Sequence, residues 1–364
     1  MKRTTTILLL LLITTNTLLS QNLQITRRDF TDPNNYIHSL LELNETNGTI
    51  LDTYDYTATF PGFNAVESLT YNQATKEVFG ISDNLILKYN IETGIEDSFT
   101  LPSLTSGDYQ DVVIANNRLF VSRRDFTDPN NYIHSLVELN QTDGSIIDTY
   151  DYTATFPGFN SVESLTYNSE TSEIFGISDN LILKYNIETA NEGSFTLPSL
   201  TSGDYQDVVI ANNRLYVSRR DFTDPNNYIH SLVELNQTDG SVISTYDYTA
   251  TFPGFDAVES LTYNPETSEI IGFSETLVLK YNIDTGTEDS FDMPTLSSGN
   301  YGAIVSTADD PVLSVEDVQL PETNQKIVKA HNLLGQEVPV DSTNEIIIVL
   351  FENGTRKKVY NLKI

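Results

Sequence analysis

A long internal repeat constrains the fold of this chain more than any other feature of its sequence. The string RRDFTDPNNYIHSL begins at Arg27, at Arg123 and at Arg219, which gives a period of 96 residues. The three copies span residues 27–122, 123–218 and 219–307. A repeat of this kind predicts a fold in which equivalent segments pack against one another, because one copy alone cannot bury its apolar side chains.

Each copy divides into two related halves, and each half holds four short runs rich in Val, Ile, Leu, Tyr and Thr. Turn residues such as Asn212-Asn213 and Thr238-Asp239-Gly240 separate the runs, which predicts β-strands joined by hairpins. Four strands in about 48 residues is the size of one propeller blade. The sequence therefore predicts an all-β protein, a six-bladed β-propeller of three double-blade repeats over residues 21–309. An open array or a β-solenoid is the alternative.

The two ends of the repeat region are predicted to complete one blade together. The segment that begins at Leu23 matches the second strand of a blade, and the matching first strand is missing before it. Residues 298–306 align with residues 106–114, which are predicted to form the first strand of the blade that continues into the second copy. Pairing residues 301–307 with the blade of residues 23–58 would close the ring and remove exposed strand edges.

Several apolar positions of the blades are expected to serve as core alone, with no part in binding. They are Leu165, Ile174, Phe175, Ile177, Leu181, Leu183, Val208 and Ile210.

The first 20 residues are typical of a secretory signal peptide. Lys2 and Arg3 are followed by the aliphatic run Ile7–Ile13 and by a small residue, Ser20, at the expected cleavage site. The run is shorter than the roughly 20 residues that span a bilayer, and no later segment qualifies, so no transmembrane segment is expected. An uncleaved signal anchor is the alternative.

The composition excludes several classes of function. The net charge is −31, from 51 acidic and 20 basic residues, which disfavours binding to nucleic acid and to anionic membranes. The chain has no cysteine, so thiolate zinc sites and a cysteine nucleophile are excluded. An acidic surface attracts cations such as Ca²⁺, although the charge alone also keeps a protein soluble. We expect a monomer.

Residues 310–364 have a different composition and are predicted to form a small β module of three to five strands. The apolar runs Ile327–Val338 and Glu345–Gly354 carry this prediction. The tail resembles the C-terminal type A sorting domain of the type IX secretion system of Bacteroidetes. The resemblance rests on Asn332-Leu-Leu-Gly-Gln-Glu-Val338 and on Gly354-Thr-Arg-Lys-Lys-Val359.

This resemblance implies a route of export. The N-terminal signal would carry the protein into the periplasm, and the tail would engage the type IX machinery for passage across the outer membrane. The expected location is therefore the medium or the outer cell surface.

Carboxylates stand at the start of five of the six predicted innermost strands. They are Glu67, Asp111, Glu163, Asp207 and Glu259, and the sixth position holds Gly302-Ala303 instead. Carboxylates around one channel mouth could raise each other's pKa or bind a cation, so these five residues are candidate Ca²⁺ ligands. The alternative is that they accept hydrogen bonds from backbone N–H groups of neighbouring blades.

The long loop RRDFTDPNNYIH places a second group of candidate ligand-binding residues on the same face. Paired arginines bind carboxylate or phosphate, and Asp or Asn can bind Ca²⁺ or sugar hydroxyls. Alternatively the loop is a turn whose arginines pair with Asp29, Asp125 and Asp221 inside each blade. The candidates are Arg27, Arg28, Asp29, Tyr36, His38, Arg123, Arg124, Asp125, Tyr132, His134, Arg219, Arg220, Asp221, Tyr228 and His230.

The aromatic linker TYDYTATFPGF also occurs three times, at Thr53–Phe63, Thr149–Phe159 and Thr245–Phe255. Its rings could stack on sugars or pack between blades. Aromatic rings in such linkers more often pack between blades.

The pattern favours binding over catalysis. The sequence has no Gly-x-Ser-x-Gly, no His-Glu-x-x-His and no phosphate-binding loop, and three of its histidines are equivalent copies. We therefore expect an exported binding or interaction module with a glycan or protein ligand. The alternatives are a calcium-assisted hydrolase or lactonase with its site at the channel, and a purely structural surface protein.

Overall fold

The computed structural model describes residues 22–32, 36–61, 66–128, 132–156, 161–224, 228–252, 258–308, 327–332, 346–351 and 356–360. The signal peptide expected at residues 1–20 lies outside these ranges. Within them the chain forms strands and turns, and no helix there has the length and apolar character needed to cross a membrane.

Six four-stranded antiparallel sheets make up the repeat region, and each is one blade. Blades 1, 3 and 5 carry the long loop between their second and third strands. Blade 1 consists of β24 (Gly299–Ser306), β1 (Asn22–Asp29), β2 (Ile37–Asn44) and β3 (Ile50–Asp55). Blade 3 consists of β8 (Gly107–Ala115), β9 (Arg118–Asp125), β10 (Ile133–Leu139) and β11 (Ile146–Asp151). Blade 5 consists of β16 (Gly203–Ala211), β17 (Arg214–Asp221), β18 (Ile229–Leu235) and β19 (Val242–Asp247).

Blades 2, 4 and 6 have short turns throughout. Blade 2 consists of β4 (Ser68–Asn72), β5 (Glu77–Ser82), β6 (Leu85–Asn90) and β7 (Glu96–Thr100). Blade 4 consists of β12 (Ser164–Asn168), β13 (Glu173–Ser178), β14 (Leu181–Asn186) and β15 (Asn191–Thr196). Blade 6 consists of β20 (Ser260–Asn264), β21 (Glu269–Ser274), β22 (Leu277–Asn282) and β23 (Glu288–Asp292).

Blade 1 is completed by strands from the two ends of the repeat region, as the sequence predicts. Strand β24 pairs antiparallel with β1, and Ile25 lies opposite Ile304 in the register. Leu23 and Arg28 lie opposite Ser306 and Asn300. We call this pairing of β24 with β1 the seam. The prediction of a closed six-bladed propeller is thereby confirmed.

The core lies between neighbouring blades. The described residues form six clusters of buried apolar side chains, one for each pair of adjacent blades around the ring. The cluster between blades 6 and 1 contains Leu23 and Ile25 of β1 together with Phe273, Tyr301 and Ile304. The interface between blades 6 and 1, which includes side chains of both paired strands β24 and β1, is therefore packed like the other five interfaces.

Residues expected to serve as core are buried or partly buried. Ile174, Phe175 and Leu183 are fully buried, whereas Leu181 and Ile210 are partly buried at the edges of their clusters. The aromatic linkers pack between blades too, because Tyr56, Phe60 and their copies are at most 1% exposed. The last residue of each linker, at positions 63, 159 and 255, lies outside the described residues.

Local sequence explains where the strands turn. The two-residue turn from β8 to β9 is Asn116-Asn117, and both residues have a positive φ, which asparagine tolerates better than most residues. Gly107, at φ 124°, begins β8 where the backbone passes close to β9. A Cβ atom there would lie 2.2 Å from the carbonyl oxygen of Arg124, so the position requires glycine.

Asparagine side chains at the ends of the innermost strands make hydrogen bonds that join one blade to the next. The Nδ2 of Asn72 donates to Asn117 Oδ1 at 2.6 Å and to Gln141 Oε1 at 3.0 Å. Between blades 6 and 1, Asn264 Nδ2 instead donates to both carboxylate oxygens of Glu45, each at 2.7 Å. Glu45 thus supplies two acceptors where the other repeats supply an Asn and a Gln.

The chain divides into two compact units, Met1–Asp310 and Pro311–Ile364. The second contains a three-stranded antiparallel sheet in the order β25 (Ile327–Asn332), β26 (Ile346–Phe351) and β27 (Arg356–Tyr360). Residues 333–338 and 352–355, which carry most of the sorting-domain resemblance, lie outside the described residues.

Candidate functional site

A central channel of about 750 Å³ lies between the six innermost strands. Its wall is formed by β4, β8, β12, β16, β20 and β24, so every blade contributes. At one end of the ring the innermost strands begin, and β1, β9 and β17 lead there into the three long loops. We call this end the loop face. Because of this strand order, the long loops begin on the same face as three of the five predicted carboxylates, Glu67, Glu163 and Glu259.

The five predicted carboxylates fall into two sets. Glu67, Glu163 and Glu259 are exposed and lie just before β4, β12 and β20 on the loop face. Asp111 and Asp207 lie inside β8 and β16, and Asp111 is only 8% exposed. The difference arises because β8 and β16 begin four residues before their aspartates, so these side chains are within the channel wall.

Each buried aspartate connects three blades. Oδ1 of Asp111 accepts hydrogen bonds from the Ser68 hydroxyl of blade 2 and from the N–H of Val112, the latter at 2.8 Å. Its Oδ2 accepts from the N–H of Leu165 in blade 4. Asp207 makes the equivalent contacts one repeat further on. For these two residues the structure confirms the alternative in which carboxylates bind backbone N–H groups of neighbouring blades.

Burial changes the acidity of the two aspartates. Burial raises the pKa of Asp111 to about 7, and the negative charge of Asp207 adds to this rise, while the three hydrogen bonds oppose it. Burial also raises the pKa of Asp207 to about 6. A carboxyl group titrates near neutral pH in the channel wall because charge is costly where water is excluded.

The proposed Ca²⁺ site needs several oxygen ligands that converge on one point. Within the described part of the chain, no three His, Asp or Glu side chains are close enough together to hold a metal ion. Calcium binding by the five carboxylates stays a prediction.

The second arginine of each long loop pairs with a residue that sequence reasoning did not single out. Arg124 donates from Nε and Nη2 to the two oxygens of Asp108 at 2.5 and 2.8 Å. Arg220 binds Asp204 in the same way at 2.6 and 2.9 Å. The aspartate hydrogen bonds are the main reason that the pKa values of both arginines are raised.

The expected pairing with Asp29, Asp125 and Asp221 is therefore wrong for the second arginine of each loop, whereas the charge of the first arginine does help to lower the pKa of the aspartate in the same loop. Those aspartates accept hydrogen bonds from the backbone N–H of Thr31, Thr127 and Thr223, each at 2.9 Å, and so close the turn after the strand. The correct partner follows from the strand register, because Asp108 lies directly opposite Arg124 in the pairing of β8 with β9. Counting cross-strand positions in the sequence could have found it.

The first arginine of the loop is held in the blade as well. Arg27 Nε donates to Ser39 Oγ at 3.0 Å, and Arg219 Nε donates to Ser231 Oγ at 3.1 Å. The equivalent Arg123 is half-buried beside Ser135 in the same register.

Three of the predicted ligand-binding residues are histidines with no exposed surface. His38, His134 and His230 are all 0% exposed. Each ring stacks on the tyrosine of the aromatic linker, with 6.1 Å between the ring centroids of His38 and Tyr56. The structure thus places the histidines in the packing between loop and linker, away from solvent.

The loop tyrosines remain partly accessible. Tyr36 packs edge-on against Phe30, and Tyr132 and Tyr228 do the same against Phe126 and Phe222. All six rings are half-buried at the loop face. These tyrosines, unlike the histidines, keep part of their surface exposed.

Comparison with known proteins supports the fold and adds no function. No family model matches the chain, and no curated protein matches it. A protein of unknown function from Bacteroides caccae aligns with a TM-score of 0.52 at 11% identity, covering 79% of this chain and 99% of that one. At this identity the likeness concerns the fold alone.

Two further solved structures align with lower scores. The Cps50 (Swd1) β-propeller domain of Myceliophteria thermophila gives a TM-score of 0.47 at 8% identity, covering 90% of this chain and 93% of that one. A chain of a mitotic checkpoint complex gives 0.42 at 11% identity, covering 82% and 87%.

Replacing the buried carboxyl in Asp111→Asn is expected to flatten the pH dependence of stability. The folded-state pKa of about 7 lies above the ordinary value of 3.8, so the folded state binds more protons between these pH values. The free energy of unfolding of the native chain therefore falls as pH rises from about 4 to about 7, by at most about 4 kcal/mol from this group. Urea unfolding at several pH values measures the difference between the two proteins.

Asp143→Asn serves as the control for that experiment. Asp143 is exposed, and the hydroxyl and N–H of Ser145 lower its pKa, so this substitution removes stability that is present above pH 4. The two variants should thus deviate from the native chain in opposite directions. Parallel pH curves for the native chain and Asp111→Asn would contradict the assignment.

Proposed function

We propose that the propeller is an exported binding scaffold whose loop face holds a repetitive ligand at three equivalent positions. The observation that carries this proposal is the threefold repetition of one accessible aromatic pair. The ring centroids are 4.9 Å apart in each of the pairs Phe30–Tyr36, Phe126–Tyr132 and Phe222–Tyr228, at interplanar angles of 77°, 79° and 77°. Three equal surfaces on one face suit a ligand that itself repeats.

The side chains around each pair favour a glycan or a polar protein segment as the ligand. Next to the ring of Phe30, Thr31 and Asp32 are exposed, and the same holds at the other two loops. Aromatic rings stack on the apolar faces of sugars, and carboxylates and hydroxyls bind sugar hydroxyls. Three weak sites linked by a rigid ring can raise the overall affinity by about 10²–10⁴ over one site, without any new contact.

Export through the type IX system is part of the proposal. It is supported by the sequence resemblance of residues 332–338 and 354–359 and by the division of the chain at Asp310–Pro311 into two compact units. A sorting tail works most simply when it folds apart from its cargo. The propeller would then meet its ligand outside the cell.

Removal of residues 310–364 is expected to leave the propeller in the periplasm of a bacterium that has the type IX system. The full chain should appear in the medium or on the outer surface, as measured by cell fractionation. Circular dichroism of the purified truncated protein controls for folding. A truncated protein that still reaches the outside would contradict the role of the tail.

Substituting the three loop tyrosines with alanine is expected to abolish glycan binding. The probe is a panel of neutral oligosaccharides, first arrayed and then titrated by calorimetry. The native chain should bind about three molecules of a monovalent fragment, because the three sites are equivalent. Each single substitution, at Tyr36, Tyr132 or Tyr228, should remove one site and leave the affinity of the others unchanged.

A control with the same threefold symmetry lies elsewhere on the blades. Leu51, Ile147 and Ile243 are 48%, 59% and 60% exposed on the outer strands, and their joint substitution with alanine should leave binding unchanged. One ligand per chain, or binding that survives the triple tyrosine substitution, would contradict the proposal.

A further inference from the structure

Blade 1 differs chemically from the equivalent blades 3 and 5 in the residue that faces Arg28, an arginine that lines the channel. In blades 3 and 5, the carboxylates of Asp108 and Asp204 accept hydrogen bonds from Nε and Nη2 of the facing guanidinium. The equivalent residue in β24 is Asn300, which lies opposite Arg28 in the register. Blade 1 therefore has an amide where the other two blades have a carboxylate.

An amide satisfies this arginine less completely than a carboxylate does. The Oδ1 of Asn300 accepts one hydrogen bond from Arg28 Nε at 2.7 Å. The other side-chain atom of Asn300 is an NH₂ group, which donates and cannot accept. The Nη1 of Arg28 is 3.9 Å from Glu67 Oε1, and Glu67 is 70% exposed, so this ion pair is weak and screened by solvent.

A second carboxylate is also missing from this sector of the channel. Ala303 stands where the other repeats have Asp111 and Asp207. Thr26 holds the interface in its place, since its hydroxyl donates to Val66 O at 3.1 Å and accepts from Ala303 N–H at 2.9 Å. A Cβ atom on Gly302 would lie 2.5 Å from Thr26 Oγ1, which explains the glycine. The seam sector is thus less acidic than the two equivalent sectors.

We infer that Arg28 and Asn300 form a receptor for the carboxylate of an acidic glycan that enters the channel from the loop face. The ligand's carboxylate accepts a hydrogen bond from Nη2 of Arg28, the donor that is bound by Asp108 on Arg124 and by Asp204 on Arg220. Asn300 keeps its contact with Nε of Arg28, and its NH₂ group donates to the same carboxylate. Each chain has one such site, because the arrangement occurs only at the seam among the described blades.

The channel wall favours a sugar as the carrier of that carboxylate. Ser68, Thr70 and Tyr71 of blade 2 and their copies in blades 4 and 6 line the same channel as Arg28. The cavity of about 750 Å³ is within the usual range for small-ligand sites. The net charge of −31 repels an anionic ligand at long range, and at physiological ionic strength this repulsion is screened beyond about 8 Å, whereas Glu67, 3.9 Å from Arg28 Nη1, opposes the ligand at short range.

The site is distinct from the three positions proposed on the loop face, and its test is independent of them. The probe is a short oligogalacturonate, titrated into the full chain by calorimetry, with its carboxyl-reduced neutral form as the comparison. The native chain should bind one molecule of the acidic probe, and the reduced probe should bind about 10- to 100-fold more weakly, because charged hydrogen bonds are lost.

Asn300→Asp is the decisive variant. It gives Arg28 the internal partner that Arg124 already has, so binding of the acidic probe should fall about 10- to 100-fold while the thermal midpoint stays the same or rises. Arg28→Gln should lose binding to the same extent. Arg124→Gln is the matched control, since that arginine is already paired, and it should leave binding unchanged.

Three outcomes would overturn the inference. The first is that Asn300→Asp binds the acidic probe as the native chain does. The second is that Arg124→Gln weakens binding as much as Arg28→Gln. The third is that a short peptide with a free C-terminal carboxylate binds as tightly as the acidic glycan, which would assign the site to a different ligand. The triple tyrosine variant should retain this binding, so failure of the loop-face proposal is seen separately.

Discussion

The hydrogen-bonded pairing of β24 with β1 is the interaction on which the rest of the structure depends. A blade that lacked its innermost strand would expose Leu23 and Ile25, which are fully buried, and would leave the channel open on one side. Closing such a long loop costs chain entropy that grows only slowly with loop length, roughly with its logarithm. A full strand pairing and a buried cluster that includes Phe273 and Ile304 offset that cost.

Ring closure also sets the electrostatics of the channel. Because β8 and β16 pack side by side with β4, β12 and β20, two aspartates are enclosed between blades and each connects three of them. Their satisfied hydrogen bonds stabilise the interfaces, while the loss of hydration disfavours their charge. Blade 1 does not repeat this arrangement, because Ala303 stands at the position of Asp111 and Asp207, and Thr26 and Glu45 supply different contacts.

The fold could be predicted from the sequence because the repeat is internal, so it can be found by comparing the chain with itself. The 96-residue period, the strand-like runs and the match between residues 298–306 and 106–114 are enough to place Ile304 beside Ile25. It also identified Asp111 and Glu67 as channel residues. It could not separate them, because their difference depends on where each innermost strand begins: β4 starts after Glu67, whereas β8 starts well before Asp111.

For the candidate ligand-binding residues of the long loop, the order of residues in the sequence did not determine which partner each side chain contacts. Arginine and aspartate that are neighbours in sequence, such as Arg28 and Asp29, point to opposite faces of a strand, so Arg124 finds Asp108 on the adjacent strand and not Asp125. The burial of His38 depends on a linker tyrosine 18 positions later, which no local motif encodes. The chemical difference of the seam is present in the sequence as Asn300 and Ala303, but its meaning required the geometry of the other two repeats.

Hydrogen exchange measured by mass spectrometry on the full chain tests ring closure most directly. The internal standards are β8 and β16, which occupy the same position in blades 3 and 5 as β24 does in blade 1. If β24 completes blade 1, the backbone amides of residues 299–306 should exchange as slowly as those of residues 107–115 and 203–211. Exchange of residues 299–306 at the rate of an unprotected chain, with β8 and β16 protected, would contradict the closed ring.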